Sequence, residues 1–479
     1  MTQINIPESL PAWRQIFCNR TLNLRLIRAI GYDMDYTLIH YNIDAWERRA
    51  YEYLRDKLVA LGWPVADLEF DQNAVVQGLL VDRELGNIVK ANRFGYIKAA
   101  CHGARMLEYQ ELRRTYKRTF IDTTEGRWRF LNTSFSISEG CMFRQLVDLL
   151  DQKKLPGVMG YSDLYQTVRG CLDATHMEGR LKAEIVADPS KFVVLDPDTP
   201  LALLDQKEAG KKLLLITNSG WPYTQAMMSY AFDPFLPGEM TWRELFDVAI
   251  VAARKPLFFS EPMPCFEVAN EEGLLSPLDG RTLKKGFVYH GGNADLVEAT
   301  LKLSGKDILY VGDHMYSDVR ASKSVRRWRT ALVMRELEDE IAAIESFKAQ
   351  RADLNARMSR KIAMERQLSL LRLQSQRKRL NYGPQPEESA ESLDERFQKL
   401  RAELVELDNT IAPLASASSL LVNGDWGPLT RAGNDKSFLA RTLERHSDIY
   451  TSRVSNFLYR TPFSYIRAKR SPLPHDDNQ

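Results

Sequence analysis

The stretch "RAIGYDMDYTLIHY", Arg28–Tyr41, decides the reading of the fold, because it sets two carboxylates, Asp33 and Asp35, directly after a short apolar run. Runs of this length that end in polar clusters read as strands buried on both faces. The pattern recurs in "KKLLLITNSG" (211–220), "FDVAIVAARKP" (246–256), "GFVYHGGN" (286–293), "KDILYVGDH" (306–314) and "RTALVM" (329–334). Helix-like stretches such as "TQAMMSYAF" and "NADLVEATLKL" lie between them, the second with Asn293 as N-cap and Asp295 in its first turn. Strand and helix in alternation predict an α/β fold with a doubly wound parallel sheet. Ligands of such sheets sit outside the carboxyl ends of the strands, so the polar clusters are expected to converge in one crevice.

The 479 residues suffice for two or three domains, and a 44% hydrophobic content is that of a globular chain. Lys and Arg number 65 against 63 Asp and Glu, so the overall balance gives no reason to expect a nucleic-acid or membrane partner. Any binding of phosphate must be local. Five scattered cysteines without a C-x-x-C pair argue against a disulfide framework or a cysteine zinc site. No stretch approaches the ~18 apolar residues of a membrane helix, and the first residues lack a signal-peptide pattern, so a reducing cytoplasm is expected.

Two segments break the alternation. Residues 1–45 and 187–335 read as the two parts of the sheet core, and 46–186 as an inserted cap with its own aromatic and basic content, as in "RWRFLNTSF" and "YSDLYQTVRGCLDATHMEGRLK". Residues 336–479 read as a helical hairpin and a C-terminal segment packing on the core. Leu393, Phe397, Leu400, Leu404, Leu407, Ile411 and Leu414 form one apolar helix stripe, and "NYGPQPEESAES" is the exposed turn. The stripe could cover the core or another subunit, and a homo-oligomer is expected.

The chemistry begins at Asp33. A carboxylate at a sheet mouth can attack phosphorus once a divalent cation and fixed donors neutralise the phosphoryl oxygens. Asp35, two residues on, would lie on the same side, placed to protonate a leaving oxygen and deprotonate water. Thr217, Asn218 and Ser219 offer hydroxyl and amide donors, Lys255 a point charge, and Asp313 and Asp318 the hard oxygens that suit Mg²⁺. Each cluster alone reads at least as readily as a turn or an exposed charge. Four in succession, each at a strand end, favour a site.

This order of motifs resembles the haloacid dehalogenase superfamily: D-x-D-x-T at Asp33–Thr37, the threonine of "ITNS", the lysine of "RKP", and G-D-x-x-x-x-D at Gly312–Asp318. More narrowly it is similar to the cytosolic purine 5′-nucleotidases through "DMDYTL", "FLNTSF", "ARKPLFF", "VYHGGN", "DWGPLTRAG" and "RTPFSYIRA". The resemblance implies a haloacid dehalogenase-like core with Asp33 as nucleophile and Mg²⁺ ligand, Asp35 as acid/base with its main-chain carbonyl on the metal, and Asp313 as third ligand. Thr217 and Lys255 would hold the phosphate, with Asp318 in support. Phe135 would stack on the base, while Arg169, Asp173, His176 and Lys182 would contact the nucleotide.

From spacing alone, Arg169, Asp173 and His176 share one helix face and equally make a surface ion pair beside a satisfied histidine. The function expected is Mg²⁺-dependent hydrolysis of purine nucleoside 5′-monophosphates, with some phosphoryl transfer to nucleosides. IMP and GMP are expected ahead of AMP, because Arg169 or Lys182 can donate to a 6-oxo group but not accept from a 6-amino group. The alternative is a scaffold protein whose hairpin is the working surface.

Overall fold

All six apolar runs become strands of one ten-stranded sheet in the computed structural model, which describes residues 10–278, 280, 282–470 and 476. The sheet order is Phe17–Cys18, Ile449–Thr451, Arg329–Val333, Ile308–Gly312, Ala29–Tyr32, Lys212–Ile216, Val248–Val251, Phe287–Gly291, Cys265–Val268 and Leu275–Pro277. The run from Ile449–Thr451 to Phe287–Gly291 is parallel throughout. Ala29–Tyr32 lies at its centre, buried at every position, which explains its uninterrupted apolar character.

Two features depart from the sequence expectation. The edges are antiparallel, Phe17–Cys18 on one side and Cys265–Val268 with Leu275–Pro277 on the other, so the sheet is mixed. The C-terminal segment also does more than cover the core. Ile449–Thr451 enters the sheet beside Arg329–Val333, in register from Ala331↔Ile449 to Val333↔Thr451. Three residues are too short an apolar run to announce a strand.

The inserted region leaves and rejoins the core at one antiparallel bridge, His40–Tyr41 with Val193–Val194. Between them stand the helices Ile43–Ala60, Ile137–Asp151 and Tyr161–Glu178 and a five-stranded antiparallel sheet. In that sheet Trp128–Phe130 pairs with Leu80–Asp82, with Trp128 and Phe130 buried and Arg129 exposed between them.

One buried acid ties this roof together. Glu47, 1% exposed, accepts the Ser138 backbone N–H at 2.7 Å, a first-turn donor of the Ile137–Asp151 helix. Burial pushes its carboxyl up to about 7, against the pull of the Ser138 donors and with a push from Glu139. An acid raised in the folded state gives stability that is complete below its unfolded value near 4.5 and is lost as pH rises toward 7, on the order of 3 kcal/mol. Glu47→Gln keeps the acceptor and removes the titration. Its melting temperature should fall less than that of wild type between pH 5 and pH 8, and equal falls in the two proteins would refute the assignment.

Residues 339–428 form a separate compact unit. It is an antiparallel pair of helices, Lys348–Leu380 and Ala390–Ser419. Leu407 and Ile411 of the stripe are buried against Met364, flanked by Leu354, Met358, Leu400 and Leu404. The stripe from Leu400 to Ile411 is therefore covered within the hairpin.

Candidate active site

The central strand delivers Asp33 to the crevice. Its backbone N–H continues the ladder to Val311 O at 2.9 Å, which fixes the Cα at the sheet mouth. Oδ1 accepts the Met34 N–H at 2.8 Å and meets Lys255 Nζ at 2.7 Å. Oδ2 has no donor among the described residues. The chain then reverses through Tyr36, whose φ of 55° lies in the left-handed region rare for an aromatic residue. Asp35 thereby faces the same cavity as Asp33.

Lys255 is buried and held from every side. Its backbone N and O bond the Asn218 side chain at 2.6 and 3.1 Å. Its ammonium reaches Asp33 Oδ1 at 2.7 Å, Asp318 Oδ1 at 2.8 Å and the Tyr310 hydroxyl at 3.0 Å. Tyr310 in turn donates to Ile216 O at 2.9 Å. Two glycines make this convergence possible. A Cβ at Gly31 would stand 2.9 Å from Tyr310 Cδ2, and one at Gly312 would stand 2.5 Å from Asp318 Oδ2.

Asp33, Asp313 and Asp318 each bring a carboxylate oxygen within 4.8 Å of the others. Burial pushes the Asp33 carboxyl up to about 7, with Lys255 opposing and the charges of Asp318 and Asp35 adding. Asp313 is pushed well above the carboxylate range by burial and by Asp318 and Asp33. Burial alone would lower the Lys255 ammonium, yet Asp318 and Asp33 hold it well above its ordinary value. Three carboxylates, Asp33, Asp313 and Asp318, thus share one ammonium, with Asp35 adding its charge on Asp33. A divalent cation fits this donor set, since it would balance the charge and favour the ionised form of Asp33.

Asp35 has its own setting. Ser219 Oγ donates to Oδ2 at 2.5 Å and the Tyr41 hydroxyl donates to Oδ1 at 2.5 Å. Lys182 Nζ donates to Ser219 Oγ at 2.8 Å and sits 4.6 Å from the Tyr223 ring centre. Thr217, buried, accepts the Ser219 N–H on its hydroxyl oxygen at 3.1 Å, which leaves the hydroxyl proton available to a ligand.

These groups open on a cavity of about 330 Å³, whose roof includes Trp46, Phe135 and Arg169. Of the residues expected from sequence, Asp33, Asp35, Phe135, Arg169, Lys182, Thr217, Asn218, Ser219, Lys255 and Asp313 all line it. Three placements differ from expectation. The Asn218 amide is engaged by the Lys255 backbone, and the single Ser219 proton goes to the stronger acceptor, the Asp35 carboxylate, so both act as positioning groups.

Asp173 is exposed and grips Arg169 at 2.9 Å instead of facing the cavity, the ion pair that spacing alone allowed. Arg169 is further held by the buried Glu139 at 2.8 Å. His176 lies on the same helix with its side chain outside those described. Phe135 is half-buried, edge-on to Tyr36 at 4.4 Å and to Trp46 at 5.4 Å.

Sequence reading missed Trp46, Arg129, Asn132, Thr133, Ser136, His314 and Ser317 on the cavity wall, and Tyr41 behind Asp35. Arg129 was legible, because "WRF" alternates apolar and charged residues as a half-buried strand does.

The 5′ nucleotidase family model matches residues 16–478, from the first edge strand through the C-terminal segment. The chain belongs to the 5′ nucleotidase family. It is a phosphoric monoester hydrolase on an α/β fold, with the Asp33, Thr217, Lys255 and Asp313 motifs at the carboxyl ends of parallel strands or in the loops that follow. Human 5′-nucleotidase domain-containing protein 2 is 28% identical over 478 residues, covering 96% of this chain and 85% of that one. A 5′-nucleotidase domain-containing protein of Dictyostelium discoideum is 26% identical over 479 residues, 97% of this chain and 75% of that one. A solved archaeal beta-phosphoglucomutase from Pyrococcus sp. is weakly similar, with a TM-score of 0.29 and 11% identity over 64% of this chain and 87% of that one.

Proposed function

We propose that this member hydrolyses purine nucleoside 5′-monophosphates, IMP and GMP before AMP, through an aspartyl-phosphate on Asp33. The observation that carries the reading is the single cavity that joins the Asp33–Lys255–Thr217 cluster at its floor to Phe135 and Trp46 at its roof. One end suits a phosphoryl group and the other a flat ring.

In the first step Asp33 Oδ2 forms a bond to phosphorus as the bond to the 5′-oxygen breaks, and Asp35 gives its proton to that oxygen. In the second step water attacks the same phosphorus, gives a proton to Asp35, and inorganic phosphate leaves Asp33. Lys255 and the Thr217 hydroxyl hold the phosphoryl oxygens. Bound Mg²⁺, held by Asp33, Asp313 and the main-chain carbonyl of Asp35, would supply the remaining charge neutralisation. A nucleoside 5′-hydroxyl seated under the roof can replace water in the second step, which gives phosphotransfer.

Preference for a 6-oxo purine rests on charged donors. Three Arg169 donors are engaged by Glu139 and Asp173, so the guanidinium is held rigidly with its remaining protons for a ligand acceptor. Lys182 stands with Ser219 and Tyr223, on the Asp35 side.

The test is phosphate release from a panel of nucleoside monophosphates with Mg²⁺ and with excess chelator. The expected order is IMP and GMP first, AMP lower and pyrimidines least, with activity lost in chelator and restored by Mg²⁺. Equal efficiency on AMP and IMP would overturn the base assignment, and full activity in chelator would overturn the metal.

A further inference from the structure

Four cationic side chains line the catalytic cavity, and three of them are held by other side chains of the protein. Lys255 is bound to Asp33 and Asp318, Arg169 to Glu139 and Asp173, and Lys182 to Ser219 under the Tyr223 ring. The fourth is Arg129. No hydrogen-bond or ion-pair partner among the described residues holds its guanidinium. Its direction is set by the backbone, since Arg129 pairs with Val81 in the roof sheet and its buried neighbours Trp128 and Phe130 occupy the opposite face.

Arg129 lines the cavity together with Asp313, His314 and Ser317, and its neighbour Phe130 stands edge-on to Tyr316 at 6.0 Å, in the helical turn that follows Asp313. The strand end that carries Arg129 therefore meets the segment that follows Asp313. An incoming dianion meets the carboxylates of Asp33, Asp35 and Asp313 there, and an uncommitted guanidinium is the group suited to receive it.

We propose that Arg129 is a substrate-binding residue that takes the phosphate group of the incoming nucleotide, an inference that rests on the function proposed above for the same cavity. A lone exposed arginine is usually only solvated. What separates this one is that it lines a cavity in which Lys255 and Arg169 are ion-paired and Lys182 is hydrogen-bonded to Ser219.

The test uses the full chain with Arg129→Ala and Arg129→Lys. For Arg129→Ala the KM for IMP should rise about tenfold to a hundredfold, the loss of one charge-assisted contact, with kcat within about threefold of wild type. Inhibition by inorganic phosphate should weaken in parallel while inhibition by inosine, which has no phosphate, stays unchanged. Arg129→Lys should recover part of the loss.

An unchanged KM and unchanged phosphate inhibition overturn the proposal. So does a loss of inosine affinity as large as that of IMP, which would place the guanidinium on the nucleoside instead. If wild type does not hydrolyse IMP, the functional reading fails by itself. Calorimetric titration with inorganic phosphate then still decides Arg129, by weaker binding to Arg129→Ala than to wild type or by equal binding.

Discussion

Asp33→Asn protein should fold as wild type does and release phosphate slower by on the order of 10⁴-fold or more, the scale of losing a nucleophile. The substitution is nearly isosteric. The amide of the variant would still offer an oxygen to the Met34 N–H and to Lys255, which Asp33 Oδ1 receives at 2.8 and 2.7 Å. What disappears is the anionic Oδ2, the atom that must bond to phosphorus. Thermal unfolding should stay near wild type, because removing one of the crowded carboxylates relieves repulsion from Asp318 and Asp35 while Asp318 still balances Lys255. Turnover within about tenfold of wild type would rule out covalent catalysis at this residue. Loss of activity together with loss of the folded state would leave the chemistry to be decided by acid-quench trapping of phosphate on wild-type protein. No trapped label there would refute the intermediate.

Much of this site was legible because the information is local. A strand buried on both faces shows as a continuous apolar run, and its carboxyl end is the next polar residue, so Asp33, Thr217 and Asp313 could be placed before any contact was known. Lys255 follows its strand by four residues and was legible in the same way. What sequence did not show is how the groups are shared.

Ser219 serves Asp35 across a separation of 184 residues, Asn218 serves the Lys255 backbone across 37, and Arg169 is held by Glu139 across 30. Such allocations depend on which acceptor is strongest once the chain is folded, and a charged acceptor outcompetes a neutral one. The Ile449–Thr451 strand was hidden for a different reason. It is short, and it gains its place from the exposed edge of Arg329–Val333 more than from its own pattern.

Asp35→Asn should lower kcat on nucleotides by about 10²- to 10⁴-fold, the usual contribution of a positioned acid/base. The loss should depend on the leaving group. A nucleoside 5′-alkoxide needs a proton as it departs, whereas a nitrophenolate does not, so hydrolysis of an aryl phosphate should lose much less in its first step. The second step still needs a base to take the proton of water, and in the variant that base is gone. With an aryl phosphate the aspartyl-phosphate should therefore form and accumulate, giving a burst of nitrophenol close to one per active site followed by slow turnover.

The surroundings of Asp35 support this division of labour. Tyr41 and Ser219 each donate to a different carboxylate oxygen, and the Lys182 ammonium bonds Ser219, so the side chain is aimed at the cavity that it lines. An equal loss on nucleotide and aryl phosphate without a burst would show that Asp35 shapes the site but does not move the proton. Unimpaired turnover on both would assign the acid/base role to another group.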